Sequence, residues 1–132
     1  MKKLVKIILT NWINLCFILS AVYLYSFVIA YSDKTFNFND SIFSATYLIF
    51  YYGILLWAGF MLCILILDTV LFGFYKKSEI IEYKLFFEWI VISLPFIYWL
   101  VLYNEYIFLV AIISFSIGQY FRKLYIQKYL NE

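Results

Sequence analysis

Residues 42–75 read IFSATYLIFYYGILLWAGFMLCILILDTVLFGFY, an apolar run in which Asp68 is the only charged residue. A helix of about 20 apolar residues can cross a bilayer, so this run is longer than one span requires. We expect a transmembrane helix over about residues 47–74, with Ser41 or Ser44 as its candidate N-cap. This stretch therefore assigns the chain to the membrane proteins.

Three more apolar runs flank this one, and short polar segments at 32–41, 76–84 and 103–106 separate them. We predict an all-α, polytopic fold of four transmembrane helices in two hairpins, forming a single domain over residues 1–132. The predicted spans cover about residues 7–31, 47–74, 85–103 and 107–121, followed by a tail at 122–132 that prolongs the last helix.

The composition agrees with this assignment. Hydrophobic side chains make up 67% of the 132 residues and charged ones 14%, against about 45–50% and about 25% in soluble domains. Four spans of about 20 residues each leave room for short loops and tails. A separate soluble domain is therefore excluded from these 132 residues.

Basic residues are distributed unequally between the two sides of the predicted bundle. Lys34 alone falls on one side, whereas the other side holds Lys2, Lys3, Lys6, Lys76, Lys77, Lys84, Arg122, Lys123 and Lys128. Because basic flanks stay on the cytoplasmic side during insertion, we expect both termini in the cytoplasm. The bias toward lysine, isoleucine, tyrosine and asparagine is that of an AT-rich bacterial gene, which favours the bacterial inner membrane.

The residue types disfavour an enzyme. The chain has no histidine, which removes the commonest metal ligand and the commonest acid or base at neutral pH. Cys16 and Cys63 stand alone in apolar runs, with no metal-binding or redox spacing. We therefore predict no catalytic site, no metal site and no cofactor.

Asp68 and Glu88 are the predicted intramembrane coupling residues. A carboxylate inside a span costs about 2.5–3.5 kcal/mol on insertion scales, so it needs a partner or a function. Asp68 is either a proton-sensing or ion-sensing group or a structural group satisfied by Lys76, Lys77 or a neighbouring helix. Glu88 follows Lys84 by four residues, a spacing that favours an ion pair. The two acids should lie at similar depth, where they could share a proton.

The basic residues that flank the spans form a predicted docking surface on the cytoplasmic side. The segment RKLYIQKYLNE at 122–132 could form an interfacial helix or bind a soluble partner. Its three positive charges are too few for strong phosphate binding, so no direct contact with nucleic acid is expected. The predicted docking residues are Lys76, Lys77, Lys84, Arg122, Lys123 and Lys128.

Small residues in the fourth span predict close helix packing. Ala111, Ser114 and Gly118 bring a small side chain to one helix face, as in small-xxx-small contacts between membrane helices. The alternative is that polar residues of the last two spans line a pore in an oligomer, namely Ser93, Ser114, Ser116 and Gln119. We favour packing.

Three functions remain open on these observations. The first is a non-enzymatic membrane protein that acts by binding, as an immunity or phage-defence subunit that senses a membrane-inserted toxin or a membrane perturbation and engages a cytoplasmic partner. The second is a homo-oligomeric ion channel or holin-like pore with Asp68 near the lumen. The third is an accessory subunit of a transporter or envelope complex. The lipid bilayer is a partner in all three, and a homo-oligomer is expected.

Overall fold

The computed structural model describes residues 2–74 and 80–131. Within these ranges the regular structure is helical throughout. The elements are α1 (Lys2–Leu9), α2 (Asn11–Ser32), α3 (Phe38–Tyr47), a π-helical turn (Leu48–Tyr52), α4 (Ile54–Phe74), α5 (Ile81–Tyr103) and α6 (Ile107–Asn131).

Four helical segments of the described chain are long and apolar enough to cross a membrane. They are Lys3–Ser32, Ile54–Gly73, Ile81–Tyr103 and Ile107–Leu130. The predicted all-α class and the number of four spans are therefore confirmed, and the chain is a multi-pass membrane protein. The first segment is interrupted at Thr10, where α1 ends and α2 begins.

Several boundaries differ from the prediction. The helix predicted over 47–74 begins only at Ile54, because the residues before it form α3 and the π-helical turn. Ser41 and Ser44 are therefore not its N-cap, since both lie within α3.

The polar segment predicted as a loop at 32–41 already enters α3, because the Asp40 carboxylate accepts a hydrogen bond from the Asn37 N–H at 3.4 Å and caps a new helix there. At the other end of the chain, α6 continues to Asn131, so the predicted end of the span at residue 121 is not the end of the helix. The tail and the fourth span form one helix.

The bundle has two distinct ends. Residues 33–37 and the turn between α5 and α6 lie at one end, which we call the loop end. α1 lies at the other, with the last turns of α4 and α6, and we call it the termini end. A small apolar cluster closes the termini end and consists of Ile7, Phe72, Ile81, Leu85 and Ile126.

α6 is the central helix of the packing. It packs most extensively against α2 and also against α5, while α4 packs against α1 and α5. Between the two ends lies an apolar layer whose buried members include Ile18, Phe60, Ile64, Ile92 and Phe115. The ring of Phe60 stands nearly perpendicular to that of Phe115 at a centroid distance of 5.4 Å, a favourable edge-to-face arrangement.

The turn before α6 depends on one asparagine. Asn104 ends α5 in the left-handed conformation with φ of 52°. Asparagine tolerates this region better than other residues with a Cβ atom, so it can reverse the chain in a few residues.

Candidate functional site

All four spans contribute buried polar side chains to one site, which we call the polar cluster. Every member is at most 6% exposed. The cluster lies between the apolar layer and the termini end. Its members are Thr10, Asn11, Asn14, Asp68, Glu88, Gln119 and Arg122.

Arg122 is the centre of the polar cluster. Its Nη1 donates to both carboxylate oxygens of Glu88, at 3.0 and 2.8 Å, and its Nη2 donates to Oδ2 of Asp68 at 2.5 Å. Its Nε donates to Oγ1 of Thr10 at 2.9 Å. Arginine suits this position because its planar group directs several N–H donors to different partners at once. One side chain thus connects α6 to α4, α5 and the junction of α1 and α2.

An amide chain extends the cluster along α2. Nδ2 of Asn11 donates to Oδ2 of Asp68 at 2.5 Å, and Nδ2 of Asn14 donates to Oδ1 of Asn11 at 3.2 Å. Among the described residues, Oδ1 of Asp68 and Oδ1 of Asn14 accept no hydrogen bond, and Nε2 of Gln119 donates none. The network therefore uses one oxygen of Asp68 twice and leaves the other without a donor.

Local structure brings these groups to one depth. Asp68 lies six residues before the end of α4 at Phe74, and Glu88 lies seven residues after the start of α5 at Ile81. At 1.5 Å per residue, both carboxylates are about 10 Å inside the termini end of their helices. Thr10 reaches the same level at the junction between α1 and α2, where its Oγ1 also donates to the Ile7 carbonyl at 2.5 Å. This placement agrees with the prediction that Asp68 and Glu88 lie at similar depth.

The arrangement can fix the positions of helices relative to one another. Two buried ion pairs on one guanidinium require α4, α5 and α6 to keep a single register. Charged pairs of this kind contribute little net stability compared with apolar packing, but they strongly penalise arrangements that separate them. The polar cluster is therefore a device for specificity among the four helices.

The predicted docking residues are found in different surroundings. Arg122 was expected at the cytoplasmic surface, but it is fully buried because α6 continues past it and two acids neutralise it. Lys84 is 6% exposed, with its Nζ 4.9 Å from the centroid of the Phe72 ring, and within the described chain Glu88 pairs with Arg122 instead of Lys84. These two residues are corrected from docking to interior positions.

The other basic residues stay candidates for docking. Lys123 is partly exposed and forms an ion pair with Glu82, and Lys128 is exposed near the end of α6. Lys76 and Lys77 lie outside the described residues. The surface available for a soluble partner is thus smaller than the sequence suggested.

The three small residues of α6 that were predicted to pack lie on its buried side. Ala111 is 3% exposed and Ser114 5%, and Gly118 is buried as well. A Cβ atom on Gly118 would lie 2.7 Å from Oδ1 of Asn14 and 3.1 Å from its Cα. α2 and α6 therefore approach each other closely where the polar cluster begins.

Sequence reasoning assigned no role to Thr10, Asn11 and Asn14, and it considered Gln119 only as a candidate pore-lining residue. Thr10, Asn11 and Asn14 stand in an apolar run, and Gln119 stands in the last span. A signal was present, since Asn11 and Asn14 are three residues apart and so share a helix face. Isolated polar residues at helical spacing in a span point to an interior polar site as clearly as a carboxylate does.

A second site, the loop-end cleft, lies across the apolar layer from the polar cluster. It has a volume of about 730 Å³, within the range of sites for small ligands. Its wall is largely apolar and aromatic, with Trp57, Phe96 and Phe108 among the lining residues, and the acidic residues Asp33 and Glu105 also line it. Both acids are exposed.

Comparison with known proteins gives no relative with which either site could be compared. No protein-family model, curated protein or solved structure matches the chain.

Proposed function

We propose that this chain is a non-enzymatic protein of the bacterial inner membrane that acts by binding, as an immunity or phage-defence subunit. It receives a membrane-inserted toxin segment in the loop-end cleft and engages a partner at its cytoplasmic face. The observation that carries the proposal is the cleft itself, an apolar and aromatic cavity at the loop end with two acidic residues among its lining.

The chemistry of the cleft fits a peptide segment that enters the bilayer. Trp57 and Phe108 offer flat apolar surface to side chains that have already left water. Asp33 and Glu105 follow α2 and α5 at the loop end, where they can meet a basic residue of the incoming segment. An apolar segment with a positive end is therefore the ligand we expect.

The orientation belongs to the same proposal. With Arg122 and Lys84 in the interior, the described lysines Lys3, Lys6, Lys123 and Lys128 still lie on the elements of the termini end, whereas Lys34 lies at the loop end. The positive-inside rule then places both termini in the cytoplasm, the loop end on the periplasmic side and the four spans in two hairpins. The cleft would face the side from which an external toxin arrives.

The state of Asp68 supports binding over the pore alternative. A lumen carboxylate in an oligomeric channel would lie on a face that is free in the single chain. Asp68 is instead fully buried and paired with Arg122 of the same chain. The apolar layer of Phe60, Phe115 and their neighbours further separates the cleft from the polar cluster.

A steric test of the cleft is available on α3. Ser44 lines the cleft, whereas the adjacent Phe43 is 72% exposed. We expect Ser44→Trp to fill the cleft and abolish protection, while Phe43→Trp places the same side chain outside and leaves protection intact. The measurement is survival of cells expressing each variant when challenged with phages and membrane-inserting bacteriocins.

The wild-type chain must first raise survival above an empty vector for at least one challenge. Equal loss of protection in both variants at equal expression would show that the cleft is not the receiving site. No protection by the wild type in its own host would count against the immunity role as a whole.

A further inference from the structure

The polar cluster carries unequal charge. Its ion-paired members are two carboxylates, Asp68 and Glu88, and one guanidinium, Arg122, and all three are fully buried. The formal sum of these three ion-paired residues is one negative charge. A charge in this environment is strongly unfavourable unless a counter-charge accompanies it.

Groups from α1, α2, α5 and α6 surround Asp68. α1 packs against α4 and carries the exposed Lys3 and Lys6, and Thr10 follows its last residue. α2 supplies the amides of Asn11 and Asn14, and α6 supplies Arg122 with the amide of Gln119. α5 supplies Glu88, which adds negative charge, and Lys84, whose Nζ lies over the Phe72 ring. Among the described residues, the ion pairs of the cluster therefore hold two negative charges against one positive charge.

The hydrogen-bond pattern identifies where the missing charge belongs. Oδ2 of Asp68 accepts from both Asn11 and Arg122, each at 2.5 Å. Oδ1 of the same carboxylate accepts from no described residue, and neither does Oδ1 of Asn14, another buried oxygen of the network. Buried acceptors are normally satisfied, so a carboxylate oxygen without a donor marks a place for a proton or a cation.

We infer that the polar cluster binds one additional unit of positive charge at Oδ1 of Asp68, supplied by a proton or by a small monovalent cation such as Na⁺. The bound charge neutralises the ion-paired group of Asp68, Glu88 and Arg122. A proton there would convert Oδ1 from an acceptor without a partner into a hydroxyl group that can donate. The inference does not depend on the proposed immunity role, because it concerns the interior of the bundle alone.

The test is thermal unfolding of the full chain in nanodiscs as a function of pH. Two buffers are compared, one with Na⁺ and one with N-methyl-D-glucamine, a cation too large to enter the cluster. A bound proton that is released on unfolding lowers the folded-to-unfolded ratio by up to tenfold per pH unit as pH rises. The melting midpoint should therefore fall with increasing pH.

The two buffers distinguish the source of the charge. A fall of equal size in both identifies a proton, whereas a midpoint that is maintained at high pH by Na⁺ alone identifies the cation. Asp68→Asn removes the negative charge with little change of shape and should abolish the effect. Asp33→Asn, which removes an exposed acid at the loop end, should keep the wild-type profile.

Glu88→Gln provides a second route, because it removes the same unit of charge from the cluster while leaving Asp68 in place. Glu88→Gln should also flatten the dependence of the melting midpoint on pH, and it replaces Asp68→Asn in the test if that variant does not fold. A wild-type midpoint independent of both pH and Na⁺ would overturn the inference. The inference would also be overturned if the melting midpoint still depended on pH or Na⁺ in every folded variant that lacks one of the two carboxylates.

Discussion

Arg122 has no exposed surface, although it begins the basic tail of the sequence. Three of its nitrogen atoms donate to Thr10, Asp68 and Glu88, which are 112, 54 and 34 residues away in the chain. Lysine could not replace it, because an ammonium on a flexible stem does not address three partners in one plane. At the scale of a residue, this side chain determines how the helices are held together.

We expect Arg122→Gln to destabilise the protein strongly. The substitution leaves two buried carboxylates without a counter-charge, and breaking a buried pair in this way costs about 3–5 kcal/mol. Lys123→Gln is the matched control, since the neighbouring Lys123 pairs with Glu82 near the surface and such pairs contribute about 0–1 kcal/mol. Melting midpoints in nanodiscs measure both.

A triple variant separates charge from shape at the same site. Asp68→Asn and Glu88→Gln combined with Arg122→Gln leave no formal charge in the ion-paired group. This variant should be more stable than Arg122→Gln alone, because the unpaired negative charges are gone. Equal stability of the two would mean that lost packing, and no charge effect, explains the single substitution.

At the scale of the elements, the contact between α2 and α6 limits what the bundle tolerates. Gly118 allows the backbone of α6 to approach Asn14 closely, as small residues do between membrane helices. The same contact places Asn14 in the polar cluster, next to Asn11. Packing and hydrogen bonding therefore rely on the same glycine.

Gly118→Ala should lower the stability by about 1–3 kcal/mol, because its Cβ atom would overlap Asn14 and force the helices apart. Gly73→Ala in α4 is the control, since a Cβ atom there meets nothing within 4 Å. Alanine is also the better helix former, so the control should be neutral or slightly stabilising. Similar losses in both variants would refute the role of close approach at Gly118.

The spans were predictable at this scale, and their ends were not. Long apolar runs such as 54–74 have few alternatives to a membrane helix, so hydropathy alone located all four spans. The start of α3 was missed because its first turn is polar and is determined by a local cap at Asn37. The prediction that the tail prolongs the last helix is confirmed, since α6 continues to Asn131. Only the end of the span was placed too early, because hydropathy falls after Phe121.

At the scale of the molecule, the two ends of the bundle differ in character. The loop end has a cleft lined with aromatic residues and two exposed acids, whereas the termini end has the polar cluster below a small apolar closure. The two intramembrane acids could be identified from sequence because carboxylates are rare in spans. Their arginine partner could not, since a basic residue at a predicted boundary is the usual sign of cytoplasmic exposure.

Reporter fusions test the orientation of the whole molecule. We expect green fluorescent protein to fluoresce when fused after Glu132, and alkaline phosphatase to be active when inserted at Thr35, in the segment before α3. The reason is the concentration of lysines at the termini end. Active phosphatase after Glu132 would reverse the proposed orientation and turn the cleft toward the cytoplasm.

The position of Arg122 in the last helix also bears on how the protein is made. Asp68 and Glu88 leave the ribosome well before their counter-charge, which follows Asp68 by 54 residues and Glu88 by 34. The nascent chain must therefore present two acids to the insertion machinery while the helix that neutralises them is still being synthesised. A polypeptide truncated before Arg122 would retain these acids without their partner, and we expect the membrane proteases of the cell to treat it as an orphan.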